Sequence, residues 1–208
     1  MKLYYSPSAC SLAPHIVARE AGIEITIDKV DLKAKKTTEG SDFTAINPKG
    51  YVPTLALDNG DVLTEGPAID QYLADLKPES GLAPANGTLP RYHLQEMLNY
   101  ITSELHKSYS PLFKPDTPEA TVAERKEYLR KRYAYIESIL AKQPWLMGDQ
   151  YTIADIYLFV VTRWGRAAHV DLSEFTALEA FQKRVAERPA VQKAMLEEGL
   201  IAPSQVKA

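Results

Sequence analysis

The sequence predicts two domains of different class, an α/β domain followed by an all-helical one. Strand and helix signals alternate through the first third of the 208 residues. The stretch Lys77–Pro90, with three prolines and two glycines, then reads as a linker. Beyond it, apolar residues recur at spacings of three and four with no alternating strand pattern between them. The expected boundaries are an α/β domain over residues 1–78, a linker over 79–89 and a helical domain over 90–208.

Each element has its own local reason. Lys2–Tyr5 reads as a short strand. Leu12, Ile16 and Val17 share one helical face in Leu12–Ala21, and Gly22 is a stop signal. Ile25 and Ile27, then Val30 and Leu32, alternate with polar residues as a half-buried strand does. Lys33–Lys49 is polar with few core candidates, which predicts a loop with room for a helical turn. Thr54–Leu57 and Val62–Thr64 flank Asp58-Asn59-Gly60-Asp61, and Asn-Gly between apolar runs predicts an antiparallel hairpin. Gly66-Pro67 opens a helix to about Leu76, with proline at the first helical position, where its missing N–H costs nothing. The order β-α-β, loop, β-β-α is that of a thioredoxin-like domain, although other small α/β folds share it. Tyr92–Tyr109, Pro118–Leu140, Thr152–Ala168 and Ala177–Arg188 supply the helical domain. Thr152-Ile153-Ala154-Asp155 forms a capping box, with Tyr151 and Ile156 placed for a hydrophobic staple, and its expected role is structural.

Composition removes several function classes. With 45% hydrophobic and 25% charged residues the chain can bury an ordinary core. A net charge of −3 without a Lys/Arg cluster argues against a nucleic-acid partner. The longest apolar run, Ile156–Val161, is far too short to span a bilayer, and no membrane partner is expected. No apolar h-region follows Lys2, so the expected location is cytoplasmic. The lone Cys10 cannot form an intrachain disulfide. No metal site and no tightly bound cofactor are expected.

Cys10 follows a strand and a short loop and precedes the first helix, where N–H groups and the helix dipole favour a thiolate. A small buried hydrophobe is the simpler reading of a free cysteine. Ser11-Leu12-Ala13 follows it, so no Cys-x-x-Cys and no resolving thiol exist. Val52-Pro53 lies before the first hairpin strand, where either a cis bond exposing the Val52 backbone to a peptide-like ligand or an ordinary trans turn fits. Glu65 beside the helix opened by Gly66-Pro67 suits a zwitterion, the carboxylate holding an ammonium and the helix end a carboxylate, or else is a simple first-turn charge. Asn99, Ser103, His106 and Lys107 make a polar helix face that is either solvated or turned to a cleft, and Trp164 is either core or pocket wall.

Six pieces in order resemble the bacterial beta-class glutathione transferases. They are Lys2-Leu3-Tyr4-Tyr5-Ser6-Pro7, Ala9-Cys10-Ser11-Leu12, Asn47-Pro48-Lys49-Gly50-Tyr51-Val52-Pro53, Thr64-Glu65-Gly66, Ser103-Glu104-Leu105-His106-Lys107 and Thr152-Ile153-Ala154-Asp155-Ile156-Tyr157. The resemblance implies a thioredoxin-like N-terminal domain with an all-helical C-terminal domain, working as a homodimer with glutathione as co-substrate in a cleft between domains. By that similarity Cys10 faces the glutathione sulfur, Val52 and Pro53 meet its cysteinyl backbone, Glu65 and Gly66 its γ-glutamyl group and Lys35 its glycyl carboxylate. Asn99, Ser103, Glu104 and His106 would complete the glutathione site, with Glu104 reaching across the dimer. Cys10, His106, Tyr5 and Ser11 are the catalytic candidates by the same likeness, and His106, Lys107, Tyr109, Phe113 and Trp164 border the electrophile pocket. The implied activity is conjugation of glutathione to small hydrophobic electrophiles, with Cys10-dependent thiol–disulfide exchange as a second chemistry. A noncatalytic binding or regulatory protein on the same fold is the alternative.

Overall fold

The computed structural model describes residues 1–206 and divides into two compact units, one formed by Met1–Ala83 with the residues from Glu187 on, the other by Pro84–Ala186. The last helix thus sits with the α/β unit, where the sequence placed all of 90–208 in the helical domain.

The first unit is built on strands β1 (Lys2–Tyr5), β2 (Thr26–Asp31), β3 (Lys36–Thr37), β4 (Thr54–Ala56) and β5 (Val62–Thr64) in the order β3-β2-β1-β4-β5. β1 and β2 run parallel, and the β1–β4, β4–β5 and β2–β3 pairs are antiparallel. The parallel pair needs a crossover, which α1 (Leu12–Glu20) supplies. α2 (Phe43–Ile46) is a single turn and α3 (Gly66–Leu76) follows the hairpin.

Side chains alternate across the sheet. Leu3 and Leu55, register partners on β1 and β4, are fully buried, as are Leu12 and Ile16 of α1 and Ile69 and Leu73 of α3, two helices that pack on each other. Tyr4 turns the other way and clusters with Val30, Phe43 and Val52. Phe43 is the core residue hidden in the polar loop. Its turn forms because Asp42 accepts the Thr44 N–H at 2.9 Å, and burying a phenylalanine contributes about 1.5–3 kcal/mol. The short edge strand β3 was not legible in Lys36-Thr37.

The second unit begins with α4 (Leu89–Tyr100), capped by the Thr88 hydroxyl accepting the Arg91 N–H. A π-helical turn over Ile101–His106 follows, then α5 (Lys107–Tyr109) and a 3-10 turn at Ser110–Phe113. The sequence read Tyr92–Tyr109 as one regular helix. α6 (Glu119–Leu140), α7 (Ile153–Ala167) and α8 (Thr176–Ala186) complete the unit. Every residue of α7 from Ile153 to Thr162 is buried, which explains its apolar run. Among the described residues no helix is long and apolar enough to cross a membrane.

Pro189 ends α8's helical pattern and opens α9 (Pro189–Glu197), which packs on α1 in the first unit. Its seam is polar at one place. The fully buried His15 of α1 has Nδ1 3.1 Å from Glu198 Oε1 and Nε2 2.7 Å from Glu197 Oε2.

Candidate active site

The first unit carries Cys10, Lys35, Val52, Pro53 and Glu65 on its connecting loops and Gly66 at the first position of α3. The Cys10 loop is pinned from three sides. Ser11 Oγ accepts the Ser6 N–H at 3.1 Å and donates to Ser6 O, while Glu198 Oε2 accepts the N–H of Ser8, whose φ is 63°. Cys10 Sγ donates to Val52 O at 3.3 Å, and the Val52-Pro53 bond is cis. Burial pushes the Cys10 thiol up to about 12, with nearby Asp70 and Glu65 adding to the rise and backbone N–H groups opposing it.

The loop facing Cys10 is organised by buried Asn47. Its Nδ2 donates to Tyr51 O at 2.8 Å and Thr54 Oγ1 at 2.9 Å, and its Oδ1 accepts the Lys49 N–H. Gly50 takes φ 68°, a region open to glycine, and its carbonyl accepts Lys35 Nζ at 2.6 Å. Glu65 caps α3 by position with φ 70°, yet its side chain makes no capping bond. Its Oε1 instead accepts from Lys49 Nζ and Tyr51 Oη, each at 2.7 Å.

In the second unit Asn99 lies in the last turn of α4, and Ser103, Glu104 and His106 ride on the π-helical turn, which widens the helix where polar side chains cluster. Asn99, Ser103 and Lys107 are exposed, and His106 and Trp164 are half-buried. His106 Nδ1 lies 2.6 Å from Tyr157 Oη, and its ring meets the Trp164 indole edge-on at 4.7 Å. Phe113, half exposed, stacks on Tyr109 and meets Trp164 edge-on at 6.2 Å. This is an apolar wall with a polar histidine in it.

Residues 7–76 match the family described as Glutathione S-transferase, N-terminal domain, and residues 100–189 that described as Glutathione S-transferase, C-terminal domain. Glutathione S-transferase GstA of Escherichia coli O157:H7 is 48% identical over 96% of this chain and 100% of its own length. The chain belongs to the glutathione S-transferase family. Two solved structures agree: a sphingomonad glutathione S-transferase complexed with glutathione (45% identity, TM-score 0.93) and the bacterial beta-class enzyme of Sphingomonas chungbukensis (42%, 0.94). Each covers 97% of this chain and 100% of the other. The thioredoxin-like and all-helical pair of domains expected from the sequence is this family's fold.

Several of the candidate residues have partners within the chain that the sequence did not indicate. Cys10 is half-buried and its thiol donates to the Val52 carbonyl, and desolvation raises its pKa more than the backbone N–H groups lower it. Ser11 is wholly buried, with its hydroxyl bonded to the Ser6 N–H and carbonyl. Tyr5 is also buried, and burial with Glu198 and Asp28 nearby makes its hydroxyl harder to ionise. Tyr109 has no exposed surface and donates to Tyr133 Oη at 3.1 Å, so it supports Phe113 and Trp164 from behind. The Glu104 carboxylate is held within its own unit by Tyr128 Oη and by Arg132 Nε at 2.8 Å, which keep it below the usual range. Lys49, Tyr51 and Tyr157 lay inside quoted motifs but were given no role. Their partners lie 14 to 51 residues away, a pairing that no local pattern carries.

Proposed function

We propose that this transferase conjugates the thiol of glutathione to small hydrophobic electrophiles, as a cytoplasmic homodimer. The observation that carries it is Glu65 at the start of α3: a carboxylate already holding the Lys49 ammonium, with its side chain off the helix end. An α-amino acid group matches that pair, its ammonium on Glu65 and its carboxylate at the α3 N-terminus. Glutathione presents such a group on its γ-glutamyl end, and the sphingomonad relative was solved with glutathione. Val52 would pair with the cysteinyl backbone and Lys35 with the glycyl carboxylate.

The glutathione thiol releases its proton to solvent water, the thiolate sulfur attacks the electrophilic carbon, and the leaving group departs with its electron pair. Cys10, held as a neutral thiol, can donate a hydrogen bond to that sulfur as it does to Val52 O. His106 supplies a second polar contact, and Phe113 and Trp164 supply apolar surface for the electrophile. Conjugation fits a protonated Cys10 better than exchange does, because exchange needs the Cys10 thiolate. Steady-state assays with glutathione against halogenated aromatics and mixed disulfides test the reading. Binding of glutathione without turnover of any electrophile would instead favour a noncatalytic protein.

A further inference from the structure

The short contact between His106 and Tyr157 joins a candidate site residue to the most deeply packed helix of its unit. Tyr157 is 1% exposed and the fifth residue of α7, and Trp164 stands seven residues further, two turns along the same face. Both rings meet His106, Tyr157 at 5.9 Å and Trp164 at 4.7 Å, each near perpendicular. Ring packing therefore fixes the imidazole plane, and the hydrogen bond decides where its proton sits.

The direction of that bond follows from the acidities of the two groups. Thr102 Oγ1 lies 3.5 Å from Tyr157 Oη, but its single proton goes to Leu98 O at 2.8 Å. Tyr157 Oη and His106 Nδ1 lie 2.6 Å apart, in a hydrogen bond whose direction depends on the imidazole tautomer. A phenol O–H is a far stronger acid than the N–H of a neutral imidazole, so the phenol donates and Nδ1 accepts. The imidazole proton then belongs on Nε2.

We propose that Tyr157 is a positioning residue that fixes His106 as its Nε2–H tautomer, which makes His106 a neutral hydrogen-bond donor to the sulfur anion and not the base that removes the thiol proton. This rests on the reading that His106 borders the reacting sulfur. The capping box gains a consequence. By starting α7 at Ile153 it sets the register of Tyr157, and a slip of one residue would turn that hydroxyl by about 100° away from His106.

The chain has four histidines, so nitrogen-15 correlation spectra of the imidazoles can be assigned by difference with His106→Gln. The wild-type protein is expected to show His106 protonated on Nε2 alone. Tyr157→Phe, which removes one oxygen, should give an averaged pattern for His106 and leave the other three unchanged. In turnover of glutathione with a chlorodinitrobenzene, Tyr157→Phe should lower kcat about five- to ten-fold with little change in the KM for glutathione. In the His106→Gln background the same substitution should do almost nothing more. A wild-type His106 protonated on Nδ1 would overturn the assignment, and so would an equal loss in both backgrounds. An absence of any glutathione turnover in the wild type would sink the transferase reading, while the spectra would still decide the tautomer.

Discussion

Cys10 Sγ donates to the Val52 carbonyl oxygen at 3.3 Å, across a sequence gap of 42 residues. The bond joins the loop before α1 to the loop before β4 and requires the thiol to keep its proton. A thiol pushed up to about 12 by desolvation stays protonated at pH 7. Alkylation of the free protein by iodoacetamide is therefore expected to have its midpoint above the ordinary cysteine value of about 8.5. Oxidised glutathione should add to Cys10 slowly at neutral pH, and Cys10→Ala should lower conjugation by the loss of one donor to the sulfur without abolishing it. A midpoint below about 7.5 by mass spectrometry would restore the thiolate mechanism.

Glu65 gives the test of ligand anchoring. Glu65→Gln keeps the shape and removes the charge, and loss of a charge-assisted bond should weaken glutathione about ten-fold or more. Lys49→Met should act in the opposite direction. In the free protein the Lys49 ammonium sits on Glu65 Oε1 at 2.7 Å, where the ligand ammonium is proposed to go. The pair is half exposed and weak, so its removal should tighten binding by about two- to five-fold. Calorimetric titration checks both. Weaker binding by Lys49→Met would make Lys49 a direct ligand group.

The alternation of Leu3 and Tyr4, the Asn59-Gly60 hairpin, Pro67 at the start of α3 and the box at Thr152 were all legible, because each depends on residues within a few positions. Three features were not. α9 looks like an extension of the helical domain until Pro189 breaks the run and His15, 182 positions before Glu197, supplies its polar seam. The π-helical turn at Ile101–His106 leaves no mark, since its residues are ordinary helix formers. The acidity of Cys10 was read from its place before a helix, a local cue, whereas burial and the carboxylates of Asp70 and Glu65 come from distant parts of the chain.

The box at Thr152 should be a stability element. Thr152 Oγ1 accepts the Ala154 N–H at 3.3 Å, and Asp155 Oδ2 accepts the Thr152 N–H at 2.8 Å. Asp155 also receives the Leu146 N–H, which ties the preceding loop to the helix start. Thr152→Ala should cost about 0.5–2 kcal/mol in urea unfolding. Turnover should persist in the folded variant, because Asp155 still holds the start of α7. A variant of full stability without turnover would give Thr152 a catalytic part instead.

Asp70 should make the protein less stable as pH rises. Its side chain on α3 is fully buried, and among the described residues neither carboxyl oxygen has a hydrogen-bond partner. Desolvation raises its pKa well above the ordinary value, since nothing compensates the charge. Well below the unfolded value of about 3.9, folded and unfolded chains both hold the proton, and the native state keeps the full benefit. As pH climbs, the unfolded chain ionises near 3.9 while the folded chain does not, so unfolding gains about 1.4 kcal/mol per pH unit until the folded group ionises too. Asp70→Asn removes the titration with little change of volume, and Asp70→Leu also replaces the unpaired polar group by an apolar one. Both variants should exceed the wild type in urea midpoint at pH 8, with the gap shrinking toward pH 5. Alkylation of Cys10 should become easier in both, because one of the two carboxylates that oppose its ionisation is gone. A stability gap that is constant between pH 5 and pH 8 would mean that Asp70 finds a partner and carries its charge in the folded protein.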